Sequence, residues 1–322
     1  MDLQSLYYFK ELTKDLNISK CAERLHISPQ TLSNHILRVE KAYGVKLFQR
    51  APVFCLTDAG GLMLNFAEHT LAQESELKSA FVEISQQHMG IIRFGTLGVR
   101  ADCAMPYILR EFSQRYPKVR IQLTDSLSSS LREKLRAGEL DFALCTITQQ
   151  EEDLVQEFVV PYKIYICISE ELLEKYYGSE KERMKQRLVQ GVTLKDLDRV
   201  PFLLLTTENV IGRTIEKCIK DEGVTPIKYM AADYTSLAPI ICKNSMAACF
   251  MSQTYLQSSL LPPADNVNVF PLLYKGKPAM QVMALLRRKE KYLPEYSQAF
   301  ITMLEKCFKD LQHVEVAHIV VR

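Results

Sequence analysis

Apolar positions recur at helical spacing through the first 88 residues and give way from Gly90 to short runs with β character. Those runs are Ile91–Thr96, Val119–Thr124, Asp141–Thr146, Tyr162–Ser169, Pro201–Leu205, Ile227–Ala231, Met246–Met251, Val267–Leu273 and Met280–Leu286. Helical patterns fill many of the gaps: Cys103–Arg115, Ser130–Ala137, Ile211–Glu222, Thr235–Lys243 and Pro294–Leu311. Strands alternating with helices predict an α/β region with a mostly parallel sheet. Its length suits two lobes. Residues 174–190 are charge-dense and poor in β-branched side chains, and they read as a solvated helical insertion.

The all-helical beginning is punctuated informatively. Ser19 is placed to cap a short helix, Lys20 to Leu25, with Ala22 inward, and His26-Ile27-Ser28 makes a turn. Ser28 then holds an N-cap position and Pro29 the first helical position, where a missing N–H costs nothing. The helix runs to Tyr43 and stops at Gly44. Leu32, Ile36, Val39 and Tyr43 project to one face, expected to pack on Leu6, Phe9, Leu16, Ala22 and Leu25 of the preceding helices. Gln30, Asn34, Arg38 and Lys41 lie opposite, with Ser33 on the flank. This is the pattern of a helix-turn-helix, in which amides and hydroxyls reach base edges and cations reach phosphates. Spacing alone also fits an ordinary amphipathic helix pair.

A second long pattern starts at Thr57 and runs to about His88, with Leu62, Phe66, Thr70, Gln73, Leu77, Phe81 and Ile84 on one stripe. That is long for a surface helix and suits a partner helix.

Composition narrows the field. The chain has 322 residues, 47% of them hydrophobic, and a net charge of +2. It can bury sizeable cores and is not a polyelectrolyte, so any nucleic-acid surface is a local patch. Between Ser28 and Arg50 there are Arg38, Lys41, Lys46 and Arg50 against Glu40 alone, a local excess of 4 − 1 = 3 positive charges. No apolar run approaches the ~18 residues of a membrane span, and the first residues do not resemble a secretory signal, which points to a cytoplasmic protein. Nine cysteines occur without a CxxC pair, mostly inside apolar runs, and read as reduced core residues. No GxSxG, HExxH or P-loop pattern is present, and the six histidines lie outside the α/β core. We expect no catalysis, no metal and no cofactor. Asp141 and Asp233 suit capping better than general-base work.

Residues 3–66 resemble the winged helix-turn-helix of LysR-type transcriptional regulators. The resemblance rests on Leu6-x-x-Phe9, Ser19-Lys20-Cys21-Ala22-Glu23-Arg24-Leu25, Ser28-Pro29-Gln30-Thr31-Leu32-Ser33, Val39-Glu40, Gly44-Val45-Lys46-Leu47-Phe48-Gln49-Arg50 and Leu56-Thr57-Asp58-Ala59-Gly60, in the family's order and spacing. Residues 91–302 match the family's effector domain in length and pattern. The resemblance implies an N-terminal all-α winged helix-turn-helix (1–58), a linker and dimerisation helix (59–89), and a two-lobed α/β effector domain like type II periplasmic binding proteins (90–322). Its lobes would comprise 90–162 plus 267–310, and 163–266. Implied partners are double-stranded DNA, a small-molecule effector, a second copy or a tetramer of this chain, and RNA polymerase.

The DNA-binding residues so implied are Ser28, Pro29, Gln30, Ser33, Asn34, Arg38, Lys46 and Arg50. The effector residues are Thr96, Gly98, Val99, Arg100, Ser126, Ser128, Ser129, Thr146 and Thr206, near strand ends where helix N-termini favour anions, and the hydroxyl-rich set suits a carboxylate. Arg100 reads equally well as a counter-charge or a solvated side chain. The chain departs from the family where Ser28-Pro29-Gln30 replaces Ser-Gln-Pro, where residues 51–55 lack the wing's basic side chains, where Asn34 and His35 replace a frequent arginine, and where Asn244-Ser245-Met246 replaces a Gly-x-Gly turn. Residues 311–322 extend past the family's usual end. Two other readings stay open: a cysteine redox switch on the same scaffold, and a ligand-binding protein whose helical N-terminus serves protein partners.

Overall fold

The computed structural model describes residues 2–49, 53–86, 89–233, 237–257, 264–314, 316, 318 and 320, with the backbone alone at 76, 79, 80 and 82–86. Three helices come first: α1 (Leu3–Asp15), α2 (Ile18–Arg24) and α3 (Pro29–Tyr43). A two-stranded wing, β1 (Phe48–Gln49) paired antiparallel with β2 (Cys55–Leu56), leads into the long α4 (Asp58–Gln86). Leu6, Phe9, Leu12, Ala22, Leu32, Ile36, Val39, Leu47, Phe48, Met63 and Ala67 form one core, which joins the first turns of α4 to the helix-turn-helix.

Three local expectations need correction. Asn17, not Ser19, caps α2, its side chain accepting from the Lys20 N–H. Leu16 is the left-handed C-cap of α1 and is exposed, because φ of 45° turns the chain outward there. Tyr43 is half exposed, and Glu40 takes the buried place near the end of the apolar face. Burial raises the Glu40 carboxyl, but the Lys46 ammonium at 2.9 Å and the Leu47 N–H at 3.0 Å outweigh this and hold it below its ordinary value.

The effector region is built on β3 (Gly90–Thr96), α5 (Gly98–Arg115), β4 (Val119–Asp125), α6 (Ser128–Arg136), β5 (Phe142–Ile147) and β6 (Leu154–Ser169). There follow α7 (Glu170–Tyr177), α8 (Lys181–Leu188), β7 (Pro201–Leu205), α9 (Val210–Glu222), β8 (Ile227–Ala232), α10 (Ala238–Lys243), β9 (Ala248–Ser252) and α11 (Gln253–Leu256). The last elements are β10 (Val267–Pro271), β11 (Leu273–Tyr274), β12 (Lys277–Pro278), β13 (Met280–Arg288) and α12 (Glu295–Gln312). One nine-stranded sheet runs β4-β3-β5-β13-β6-β9-β7-β8, with β10 also on β6. Its two flanks are parallel (β3 with β4 and β5, β7 with β8 and β9), and β6 and β13 cross antiparallel between them.

Strand β6 is twice as long as its apolar run suggests. Residues 154–163 pair with β13 in the first lobe, and 164–169 pair with β9 and β10 in the second. The expected return to the first lobe at residue 267 therefore falls at Met280. Val267, Val269 and Phe270 of β10 belong to the second lobe's core, because they face β6 beyond the crossing point. Asn244 is not the left-handed residue of its turn; Ser245 is, with φ of 57° and a hydrogen bond to Glu171.

The charge-dense insertion is not a solvated helix. Lys181 and Lys185 are buried, and with Asn268 they surround the fully buried Glu170 at 2.9, 3.1 and 2.9 Å. Residues past α12 join this cluster. His318 forms a bridge with Val269 on β10, the Val320 N–H donates to Asn268, and Lys185 donates to the Val320 carbonyl. His318 and Val320 thus lie along the outer edge of β10; Ile319 and Val321 lie outside the described residues.

Candidate functional site

The outward surface of α3 is organised by its start. The Ser28 hydroxyl accepts from the Thr31 N–H at 3.0 Å, Pro29 opens the helix, and Gln30, Asn34, Arg38 and Lys41 are exposed along one side. Gln30 donates to Asn34 at 3.2 Å, so the two amides form a preordered donor and acceptor pair, with half-buried Ser33 beside them. Arg38 is not free: it pairs with Asp2 at 3.1 Å. Lys46 pairs with Glu40 but keeps most of its side chain in solvent. His35 points away from this surface, its Nδ1 lying 2.8 Å from the Ser5 hydroxyl. Arg50 lies outside the described residues. Arg24, which the sequence offers only as part of a motif, clamps α2 to Glu11 and Asp15 of α1.

A cleft of about 180 Å³ lies between the lobes, at the carboxyl ends of the strands. Of the expected effector residues, Val99, Arg100, Ser128, Ser129 and Thr146 line it. The other four do not. Thr96 is buried at the end of β3, with no partner for its hydroxyl. The Gly98 N–H is taken by Asp125 and the Ser126 N–H by the Thr96 carbonyl, so both serve the strand-to-helix turns. Thr206 hydrogen-bonds Asp233. Sequence reasoning missed Arg132, Arg213, Thr254 and Gln281, which reach the cleft from α6, α9, α11 and β13. Only the pairing of distant segments brings them there.

Arg100 is the central group. It is 5% exposed, so the solvated reading fails. Its guanidinium donates to the Leu144 carbonyl at 3.1 Å, to the Thr146 hydroxyl and to the Tyr162 hydroxyl at 3.1 Å. All are neutral, and no carboxylate pairs with it among the described residues. By contrast, Arg132 pairs with Glu151, while Arg213 donates to the Thr207 and Glu208 carbonyls. Tyr162 donates to Gln281 at 2.6 Å, and Gln281 to Thr214 at 3.1 Å on α9. This polar chain therefore runs from Arg100 in one lobe to α9 in the other. A buried cation with only neutral partners stabilises an anion brought beside it.

Seven of the nine cysteines are buried, and Cys55 and Cys307 are half-buried. Burial pushes the thiols of Cys21, Cys145, Cys167 and Cys307 up, that of Cys218 to about 11 and that of Cys103 to about 12. Such thiols are poor nucleophiles. No group of three or more His, Cys, Asp or Glu side chains suited to a metal occurs among the described residues. No described helix is long and apolar enough to cross a membrane.

Fold and site together define a DNA-binding regulator with a ligand-binding module. Residues 3–61 match the bacterial regulatory helix-turn-helix of the lysR family, and residues 85–308 match the LysR substrate binding domain. The chain is 32% identical over 309 residues to the HTH-type transcriptional regulator YtlI of Bacillus subtilis, covering 96% of this chain and 95% of that one. It has the fold of CbnR, a LysR family regulator solved in complex with its target DNA (TM-score 0.63, 18% identity, 95% of this chain and 100% of that one). It likewise has the fold of a full-length OxyR variant from Pseudomonas aeruginosa (TM-score 0.66, 18% identity, 98% of this chain and 96% of that one). The protein belongs to the LysR family of DNA-binding transcriptional regulators, and its work is regulation and not catalysis.

Proposed function

We propose that this regulator reads a two-fold DNA site as a dimer and is controlled by a small anion, most simply a carboxylate, bound in the interlobe cleft. The observation that carries the anionic reading is Arg100, buried in the cleft wall and surrounded by neutral oxygens. Val99, Ser128, Ser129 and Thr146 complete the near wall, and Arg213 faces them from the second lobe. Binding across both lobes favours one lobe arrangement over another, which is what a controlling ligand requires.

On DNA, Gln30, Ser33 and Asn34 read bases from the start of α3, while Ser28 and Pro29 set its entry angle. Arg38, Lys46 and Arg50 hold phosphates, with Arg38 exchanging Asp2 for the backbone. The dimer forms through α4, whose Leu62, Phe66, Leu77 and Phe81 are 74, 46, 53 and 58% exposed along one stripe. Two such units present two recognition helices to an inverted repeat.

Selection of bound duplexes from a random library at two salt concentrations tests this reading. Enrichment of an interrupted inverted repeat is the expected result. Binding that merely follows ionic strength, with no enriched sequence, would sink it. With the enriched duplex, Lys46→Ala should weaken all sequences together and flatten the salt slope by about one unit, whereas Gln30→Ala should relax one base position.

A further inference from the structure

Helix α6 touches the cleft at one end and the DNA-binding unit at the other. Its N-terminal half carries Ser128, Ser129 and Arg132 on the cleft wall. Its nine residues span about 13 Å. Beyond Arg136 the chain turns through Gly138, with φ of +73°, and that turn lies directly on α4. A Cβ at Gly138 would stand 2.3 Å from the Ala72 Cβ and 3.3 Å from its Cα, so only a hydrogen fits between the turn and the helix. Ala72 is buried accordingly, unlike the open stripe on the same helix. The next residue, Glu139, reaches α1: its carboxylate is 3.9 Å from the Lys10 ammonium, and the Lys10 side chain is 14% exposed.

The helix between these ends is held as one piece. Leu131 and Leu135 pack with Leu140, Ala143, Leu154 and Leu286 in a small core of their own. Arg132 and Arg136 pair with Glu151 and Asp153 in the loop before β6, and the Thr146 N–H donates to Ser128. The contact with the DNA-binding unit, in contrast, is narrow. Beside it a cavity of about 310 Å³ separates His69 and Gln73 of α4 from Arg136, Arg288 and Lys289. Among the described residues, a small-residue contact and a long ion pair beside an open cavity hold little, and are easily exchanged for another arrangement.

We propose that α6 is a lever and the Gly138–Glu139 turn a latch, through which occupancy of the cleft releases the DNA-binding unit of the same chain. This deepens, and rests on, the reading that the cleft takes an anion. An anion drawing Arg132 and the α6 N-terminus toward the second lobe tilts the helix. Its far end then moves off Ala72 and Lys10, since no side chain at Gly138 takes up the slack. Two separately cored units joined by a weak contact among the described residues make a two-state element that ligand and DNA both bias.

The test is hydrogen exchange on the full chain, with inorganic sulfate as the probe anion. Glu139→Lys and Lys10→Glu each place like charges at the latch, and the double variant restores attraction there without touching either core. Each of these single variants should speed amide exchange around residues 10–15 and 68–74 about tenfold, leave β7 and β9 unchanged, and be corrected by the double. Glu139 also pairs with Lys134 at 3.1 Å, so Lys134→Ala, which removes that pair alone, serves as the control and should leave the two segments unchanged. Sulfate should protect α6 in the wild type and speed the same two segments, with no further gain in Glu139→Lys. Unchanged exchange in the single variants, or a double variant no better than they are, overturns the latch. Sulfate that protects α6 without altering the two segments overturns the lever and leaves the anion reading standing. Sulfate that protects nothing in the cleft overturns the anion reading and the lever with it.

Discussion

Glu170 offers a quantitative prediction. Its carboxylate is 0% exposed and is surrounded by Lys181, Lys185 and Asn268. Burial raises its carboxyl, but the Asn268 amide and the two ammonium groups outweigh burial and hold it at about 2, against an ordinary 4.5. At 1.36 kcal/mol per unit the difference is worth about 3 kcal/mol. The folded value lies below the unfolded one. The stabilisation is therefore fully present above pH ~4.5 and is lost as pH falls from there toward ~2. Glu170→Gln keeps the shape, removes the charge and leaves two buried lysines short of an anion. At pH 7 it should cost about 3 kcal/mol. Because a chain of several units does not unfold as one, stability is best read locally, from amide exchange in α7 and α8 corrected for intrinsic rates. Other carboxylates titrate alike in both proteins and cancel in the difference. The gap between wild type and variant should hold from pH 7 to 5 and narrow steadily below pH 4.5. A gap that stays constant down to pH 3, or one under about 1 kcal/mol at pH 7, would refute the claim that ionised Glu170 organises this cluster.

Other outcomes follow from the same structure. Gly60 packs its α-carbon onto the Leu47 carbonyl, 2.2 Å from where a Cβ would sit, so Gly60→Ala should destabilise the winged unit by about 1–3 kcal/mol and lower DNA affinity, read by melting and duplex binding. Arg100→Met should leave the fold intact, because Thr146 still bonds Tyr162 and Tyr162 still bonds Gln281. It should weaken anion binding about ten- to a hundredfold, measured by titration calorimetry once a binding anion is found; equal affinity would remove Arg100 from the site. Phe66→Glu with Phe81→Glu, on the exposed stripe of α4, should raise the dimer dissociation constant about a thousandfold or more in sedimentation. An unchanged dimer would move the interface elsewhere.

What can be read from the chain is local. The Ser28 cap, Pro29 at the first turn and Gly44 at the end of α3 lie within 16 residues of one another and act through backbone hydrogen bonds between near neighbours. Periodicity likewise reveals Leu32, Ile36 and Val39 as the buried face of α3. The strand Pro201–Leu205 is bounded correctly because its apolar run ends where the strand does. Distant pairing is hidden. Lys181 and Lys185 carry the composition of a solvated helix, with Glu174 and Glu182 as near partners, and their burial follows from the buried Glu170, which Asn268, 83 residues past Lys185, helps to hold. The first half of β6 is interrupted by Gln156-Glu157 and Pro161, and its partner β13 lies more than 100 residues away, so its apolar positions do not read as one strand. The same distance hides Gln281 and Arg213 from the cleft. Thr206 illustrates the opposite error: a hydroxyl at a strand end reads as a ligand group, while in the fold Asp233 claims it.

The shared strand β6 also limits how the two lobes can unfold. Its 16 residues span about 50 Å, paired with β13 along the first stretch and with β9 and β10 along the second. Neither lobe owns it. Melting one half strips a partner from the other and leaves a raw sheet edge in its place. The effector region is therefore a single cooperative body despite its two cores. Heating should melt it in one calorimetric transition, and a fragment holding only one lobe should pair its bare strand with a neighbour before it folds alone.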